Sequence, residues 1–156
     1  VDFDLTQIAI KVFETIATAK VSTSGEEARD NNFLSAADGI SVNPDHQLYD
    51  AKQAVLALAN TGYKAPARKK IPVSGEPGYA ALLLGAQTML YSGYISEHDL
   101  KIAQKIAYVL AGGKVPYGTE VDEQYLLDLE REAFISLAMA VLANSSHIST
   151  SVFVPI

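Results

Sequence analysis

YSGYISEHDLKIAQKIAYVLAGGKVPYGTEVDEQYLLDLEREAFISL, Tyr91 to Leu137, decides the fold, because it carries the start and stop signals of two helices and the loop between them. Ser96 is placed to cap the first helix, and Glu97 and Asp99 bring negative charge to the free N–H groups of its opening turn. Leu100, Ala103, Ile106, Ala107 and Leu110 then recur at helical spacing, so one apolar stripe faces a partner. Gly112 and Gly113 supply the left-handed residues that end a helix, and Pro116 prevents its continuation. Asp122 opens the second helix, whose stripe is Leu126, Leu129, Ala133 and Leu137. Asp128, Glu130, Arg131 and Glu132 fall largely on its other side.

Upstream, Leu5, Ile8, Val12, Phe13 and Ile16 predict a helix from about Asp4 to Ala19. Ser24 and Glu27 have the spacing of a capping box, so a short helix should cover Glu26 to Arg29, stopped by Asn31 and Asn32 in the left-handed conformation. Ile40 to Asn43 reads as a short strand ended by the Pro44-Asp45 turn. His46 to Asn60 reads as a helix packing through Leu48, Ala51, Val55, Leu58 and Ala59. Tyr63 to Pro77 is too rich in Pro and Gly for a helix, with Ile71-Pro72-Val73 adding a few extended residues at an edge. Tyr79 to Ser92 is apolar on nearly every side and should be central, with Gly85 marking close approach of a neighbouring helix. On pattern the last helix continues to Asn144, with the remainder loose or weakly extended. The fold expected is mainly α, an irregular bundle of about six helices with at most a few short extended segments.

The chain has 156 residues, enough for one domain that buries roughly two-thirds of its unfolded surface. Nearly half of them are hydrophobic and fewer than a quarter are charged. That suits a helical domain with large packing faces, or a piece whose apolar surface another domain covers. A net charge of −6 opposes nucleic-acid binding. Lys64, Arg68, Lys69 and Lys70 form the exception, a cluster read as solvated loop charge. Absence of cysteine excludes disulfides, thiolate nucleophiles and Cys-based zinc sites, and is compatible with the cytoplasm. No apolar run approaches the roughly 20 residues of a membrane helix, and the opening VDFDLTQ lacks the pattern of a signal peptide. The chain starts without Met and at the threshold of a helix, as a fragment would.

Chemistry-bearing residues form no recognisable constellation. His98, flanked by Glu97 and Asp99, is a first-turn surface residue, as is His46, and His147 lies in the tail. Asp122, Glu123, Asp128, Glu130 and Glu132 lack the spacing of H-E-x-x-H or of a calcium loop, and read as a solvated face. Neither Asp99 with Glu120 nor Asp122 with Glu123 is forced together as an acid/base pair. No glycine pattern cradles a phosphate, and Gly112-Gly113-Lys114 is a helix stop. Catalytic, cofactor-binding and metal residues are therefore all expected to be none.

The runs GYISEHDLKIA (Gly93–Ala103) and AYVLAGGKVPYGTEVDEQYLLDLEREAFISL (Ala107–Leu137) resemble the C-terminal region of bacterial fusion enzymes of fatty-acid β-oxidation. Those enzymes join a 3-hydroxyacyl-CoA dehydrogenase to a crotonase-superfamily enoyl-CoA hydratase, with the hydratase last. The likeness extends through FETIATAKVSTSGEEA, LYDAKQAVLAL and GYAALLLGAQTML, and so covers most of the chain to about Leu137. Two departures stand out. Asn32 occupies a usual Gly position. From Ala133 to Ile156 there is no charged residue, where such enzymes continue with a basic tail.

The resemblance implies residues 1–137 as the C-terminal helical part of a crotonase-like hydratase region and 138–156 as an uncharged tail outside the pattern. It implies a parent that hydrates a 2-enoyl-CoA and oxidises the product with NAD in the cytoplasm. It also implies that the two catalytic Glu and the thioester-holding amides lie upstream, so that this chain is inactive alone and has a structural and assembly role. Its expected partners are the missing N-terminal part and, through the parent, acyl-CoA, with a homo-oligomer possible. Lys69 and Lys70 are candidates for CoA phosphate only by charge. The alternatives are a free-standing self-association module and a small CoA-thioester binder.

Overall fold

The computed structural model describes residues 4–150, the side chains of 143–150 excepted, and the fold is mainly α. Among the described residues six helices occur: α1 (Leu5–Ala17), α2 (Gly25–Asp30), α3 (Gln47–Asn60), α4 (Gly75–Tyr91), α5 (Glu97–Leu110) and α6 (Glu123–Thr150). Two short strands, β1 (Ile71–Pro72) and β2 (Glu120–Val121), pair antiparallel with Ile71 opposite Val121. The chain divides into two compact units, the described parts of Val1–Ala19 with Arg68–Ile156, and Lys20–Ala67.

In the larger unit α4 packs against α1 and α5, and α6 packs on α5. The core is Ala9, Phe13, Leu82, Ala86, Ala103 and Ala107, with Ile10, Tyr79, Leu100, Ile106 and Leu110 packed around it. Four of those six centres are alanines, so the helix backbones approach closely and large side chains are left at the margins. The α5 stripe read from sequence is thus the one that packs. The α1 stripe divides: Ala9 and Phe13 enter the core, while Ile8, Val12 and Ile16 stay exposed.

The predicted caps form. Ser96 and Asp99 make a complete capping box, with the Ser96 hydroxyl accepting from the Asp99 N–H at 3.1 Å and the Asp99 carboxylate accepting from the Ser96 N–H at 3.0 Å. Asp122 accepts from the Tyr125 N–H at 2.8 Å and opens α6. At the end of α5, Gly112 (φ 77°) and Gly113 (φ 80°) donate to the carbonyls of Val109 and Tyr108, the paired bonds of a Schellman stop. Asn32, at φ 59°, ends α2 in the same way.

The α5–α6 loop also organises the start of α4. Gly75 and Glu76 donate their N–H groups to Ala111 and Val115, each at 2.9 Å, and Val73 exchanges backbone bonds with Thr119 and Gly118. The otherwise free amides of α4's first turn are therefore satisfied by the tail of α5 and its loop. This explains one departure from the sequence reading, which placed a loop through Pro77. The helix begins at Gly75, and Pro77 sits in the first turn, where no intrahelical N–H is needed.

Four other expectations are corrected. Ile40 to Asn43 is not a strand but a bent approach to a 3-10 turn at Pro44–His46, because among the described residues no strand pairs with it to take its backbone groups. The helix read from His46 begins at Gln47, and its expected packing face is open: no α3 residue is buried, and Leu48 is 83 % exposed. Gly85 faces open space, with nothing within 4 Å of where a Cβ would stand, so no helix approaches it. The α6 helix runs past Asn144 to Thr150, and the rest of the tail expectation, on residues 151–156, falls outside the described residues.

In the smaller unit, Ala28 is the single buried hydrophobic among the described residues. Glu27 reaches back from α2 to the N–H of Thr23, at 2.7 Å, and to its hydroxyl, at 2.6 Å. The reciprocal half of the predicted capping box is thus displaced by one residue. Arg29 bonds Glu26 and the carbonyl of Asp38, which ties α2 to the loop that follows it.

Candidate functional site

The α1 residues left out of the core and the exposed side of α6 face each other across α5. Together they make an apolar groove. Its floor is Ile102, Ile106, Val109 and Leu110 of α5, one wall is Ile8, Val12 and Ile16 of α1, and the other is Leu126, Leu127, Phe134 and Leu137 of α6. The sequence pattern explains the arrangement. Each of the three helices carries an apolar arc wider than one neighbour can cover, and the contacts of α1 and α5 with α4, and of α6 with α5, use only part of it. Phe134 is 71 % exposed and Ile8 48 % exposed, an unusual display for side chains of this size in a row.

Polar groups at the groove are few. Lys105 of α5 and Glu130 of α6 stand along it, with Glu123 toward one end. Ser74 borders that same end at 2 % exposure, its Oγ lying over the Cα of Gly78 with no hydrogen-bond partner. A lining of this composition favours burial of another apolar surface and offers no nucleophile paired with a base.

The residues weighed from sequence are dispersed among other tasks. His98 is exposed in the first turn of α5, and its neighbour Asp99 is engaged by Ser96. The Ser96 N–H, and then its hydroxyl, hold the Asp99 carboxyl below the usual carboxylate range. Glu120 lies on β2 opposite Pro72, whereas Asp99 is in the first turn of α5. Asp122 caps α6, and Asp128 accepts from Gln124 at 3.0 Å and lies 3.9 Å from Arg131. His46 ends the 3-10 turn, Lys69 and Lys70 are exposed ahead of β1, and Glu132 is exposed on α6. His147 lies among the residues whose side chains are not described.

Among the described residues no group of three or more His, Asp and Glu could hold a metal ion, and no helix is long and apolar enough to cross a membrane. The groove escaped sequence reading because Ile8, Val12 and Ile16 share the helical period of the true core positions. Only the one-residue offset to Ala9 and Phe13, together with the small size of Ala9, could have signalled two separate faces.

The chain matches no family model, and no solved structure matches it. It is 65 % identical over 130 residues to a probable 3-hydroxyacyl-CoA dehydrogenase of Bacillus subtilis (strain 168). The matched stretch takes in 83 % of this chain and spans 16 % of the length of that relative, so the similarity is to one part of a much longer polypeptide.

Proposed function

We propose that this chain is a non-catalytic helical segment of a 3-hydroxyacyl-CoA dehydrogenase of fatty-acid β-oxidation, with a structural and assembly role toward the rest of that polypeptide. The observation that carries the reading is α3, a helix of 14 residues with none buried and with Leu48, Val55 and Leu58 in solvent. Such a helix has no packing of its own to hold it, and helices in proteins draw most of their stability from packing an amphipathic face. The similarity to a stretch of a far longer relative supplies the context in which that face is covered.

The finer reading is that the parent joins the dehydrogenase to a crotonase-type enoyl-CoA hydratase and works in the cytoplasm on acyl-CoA. It is supported by the runs Gly93–Ala103 and Ala107–Leu137, and the lack of cysteine fits that compartment. NAD would be held by the parent outside this segment. This placement is supported by the start of α4, where Gly75 and Glu76 give their N–H groups to carbonyls, whereas a dinucleotide pyrophosphate is held by free N–H groups at a helix start.

The test uses two proteins. One is this chain alone. The other is the Bacillus subtilis relative with its matched stretch replaced by this chain. The chain alone should neither oxidise 3-hydroxybutyryl-CoA with NAD nor hydrate crotonyl-CoA, while amide exchange across α3 should slow at least tenfold in the chimera. Turnover by the isolated chain overturns the reading, as does an α3 that exchanges equally fast in both proteins. A light-scattering mass of two chains with α3 protected would favour self-association instead.

A further inference from the structure

We infer that the groove between α1 and α6 is the seat of one amphipathic helix from the remainder of the long polypeptide, an inference that rests on the segment reading above. α3 shows that some surface needs covering, whereas the groove specifies what shape and chemistry must arrive. Its floor residues Ile102, Ile106 and Val109 recur at helical spacing, and the α1 wall from Leu5 to Ile16 is about 17 Å long at ~1.5 Å per residue. That length accommodates three turns of a docked helix, read through anchors at i, i+3 or i+4, and i+7.

A strand is a poor fit. The long sides of the groove are helices whose backbone groups bond internally, and the strand that borders one end is the two-residue β1, where Pro72 has no N–H to donate, so the groove holds a partner chiefly through side chains. The charges set a further condition. Lys105 stands on the floor helix and Glu130 on the α6 wall, so the incoming helix should carry an acidic group beside the first and a basic group beside the second. With its apolar face down and those charges flanking it, a fourth helix would complete a layer over α5 and remove Ile8, Val12 and Phe134 from water.

Hydroxyl-radical footprinting read by mass spectrometry tests the inference on the same isolated chain and full-length chimera. Modification of Val12, Leu127 and Phe134 should fall at least fivefold in the chimera. Phe134→Asp should restore the reactivity of Val12 and Leu127 there, and Phe134→Leu should not. Both substitutions are at an exposed position, and unchanged helical circular dichroism of the isolated variants checks that they fold. If α3 becomes protected while the groove stays reactive, the groove inference falls and the segment reading stands. If both surfaces stay open, both fall. If the groove is already protected in the isolated chain in step with a dimer mass, a second copy is the occupant and the inference is overturned.

Discussion

At Gly75 the backbone has φ 59°, and a Cβ built there would lie 2.3 Å from the Val115 carbonyl oxygen and 2.7 Å from that of Pro116. Conformation and space both demand glycine at this position. Gly75→Ala should cost at least about 2 kcal/mol, seen as a lowered denaturation midpoint with unchanged slope. At Gly112 the missing Cβ makes room for Val73, which would otherwise be met at 2.6 Å. The requirement at Gly112 was legible in sequence, since a glycine pair after a helical stripe reads as a stop. The one at Gly75 was not, because it arises from a chain segment some forty residues away. Gly85 shows the opposite error, a glycine inside a helix that no neighbour approaches.

Asp99 offers a pH test at the same scale. Its folded pKa lies below its unfolded value because the Ser96 N–H and hydroxyl favour the carboxylate. The contribution to stability is therefore complete above the unfolded value, roughly pH 4, and is lost as pH falls through the folded one. Glu27, held down by the hydroxyl and then the N–H of Thr23, follows the same sign. Amide exchange at the openings of α5 and α2 should accelerate below about pH 4, and Asp99→Asn should remove that dependence from α5 alone.

Among the elements, helices with both an end signal and a partner were read best. α5 combined a capping box, a packed stripe and a Schellman stop, and its bounds followed closely from sequence. α3 had a stripe but found no partner in its own unit, and periodicity alone cannot tell a face that packs within a chain from one that waits for another surface. Leu48→Lys with Val55→Lys should therefore change the stability of the isolated chain by less than about 0.5 kcal/mol in urea unfolding. The strand expected at Ile40 to Asn43 failed for a related reason, since pairing depends on a neighbour that local sequence does not name. The groove was missed because it is a property of three helices together.

At the scale of the molecule, the main buried cluster among the described residues lies on α1, α4 and α5, with Leu82 at 2 % and Ala107 at 0 % exposure. Leu82→Ala should destabilise the larger unit by roughly 2–5 kcal/mol, whereas amide exchange between Lys20 and Ala67 should hardly change, because Leu82 packs within the cluster of the larger unit. The hydrogen bonds from Gly75 and Glu76 to Ala111 and Val115 have a kinetic consequence. α4 acquires satisfied opening amides only once α5 has reached its final turn, so the two helices, joined by the short connection 92–96, are expected to condense in one event. Substitutions at this junction should slow refolding as much as they lower stability, whereas changes on α3 should leave the refolding rate untouched.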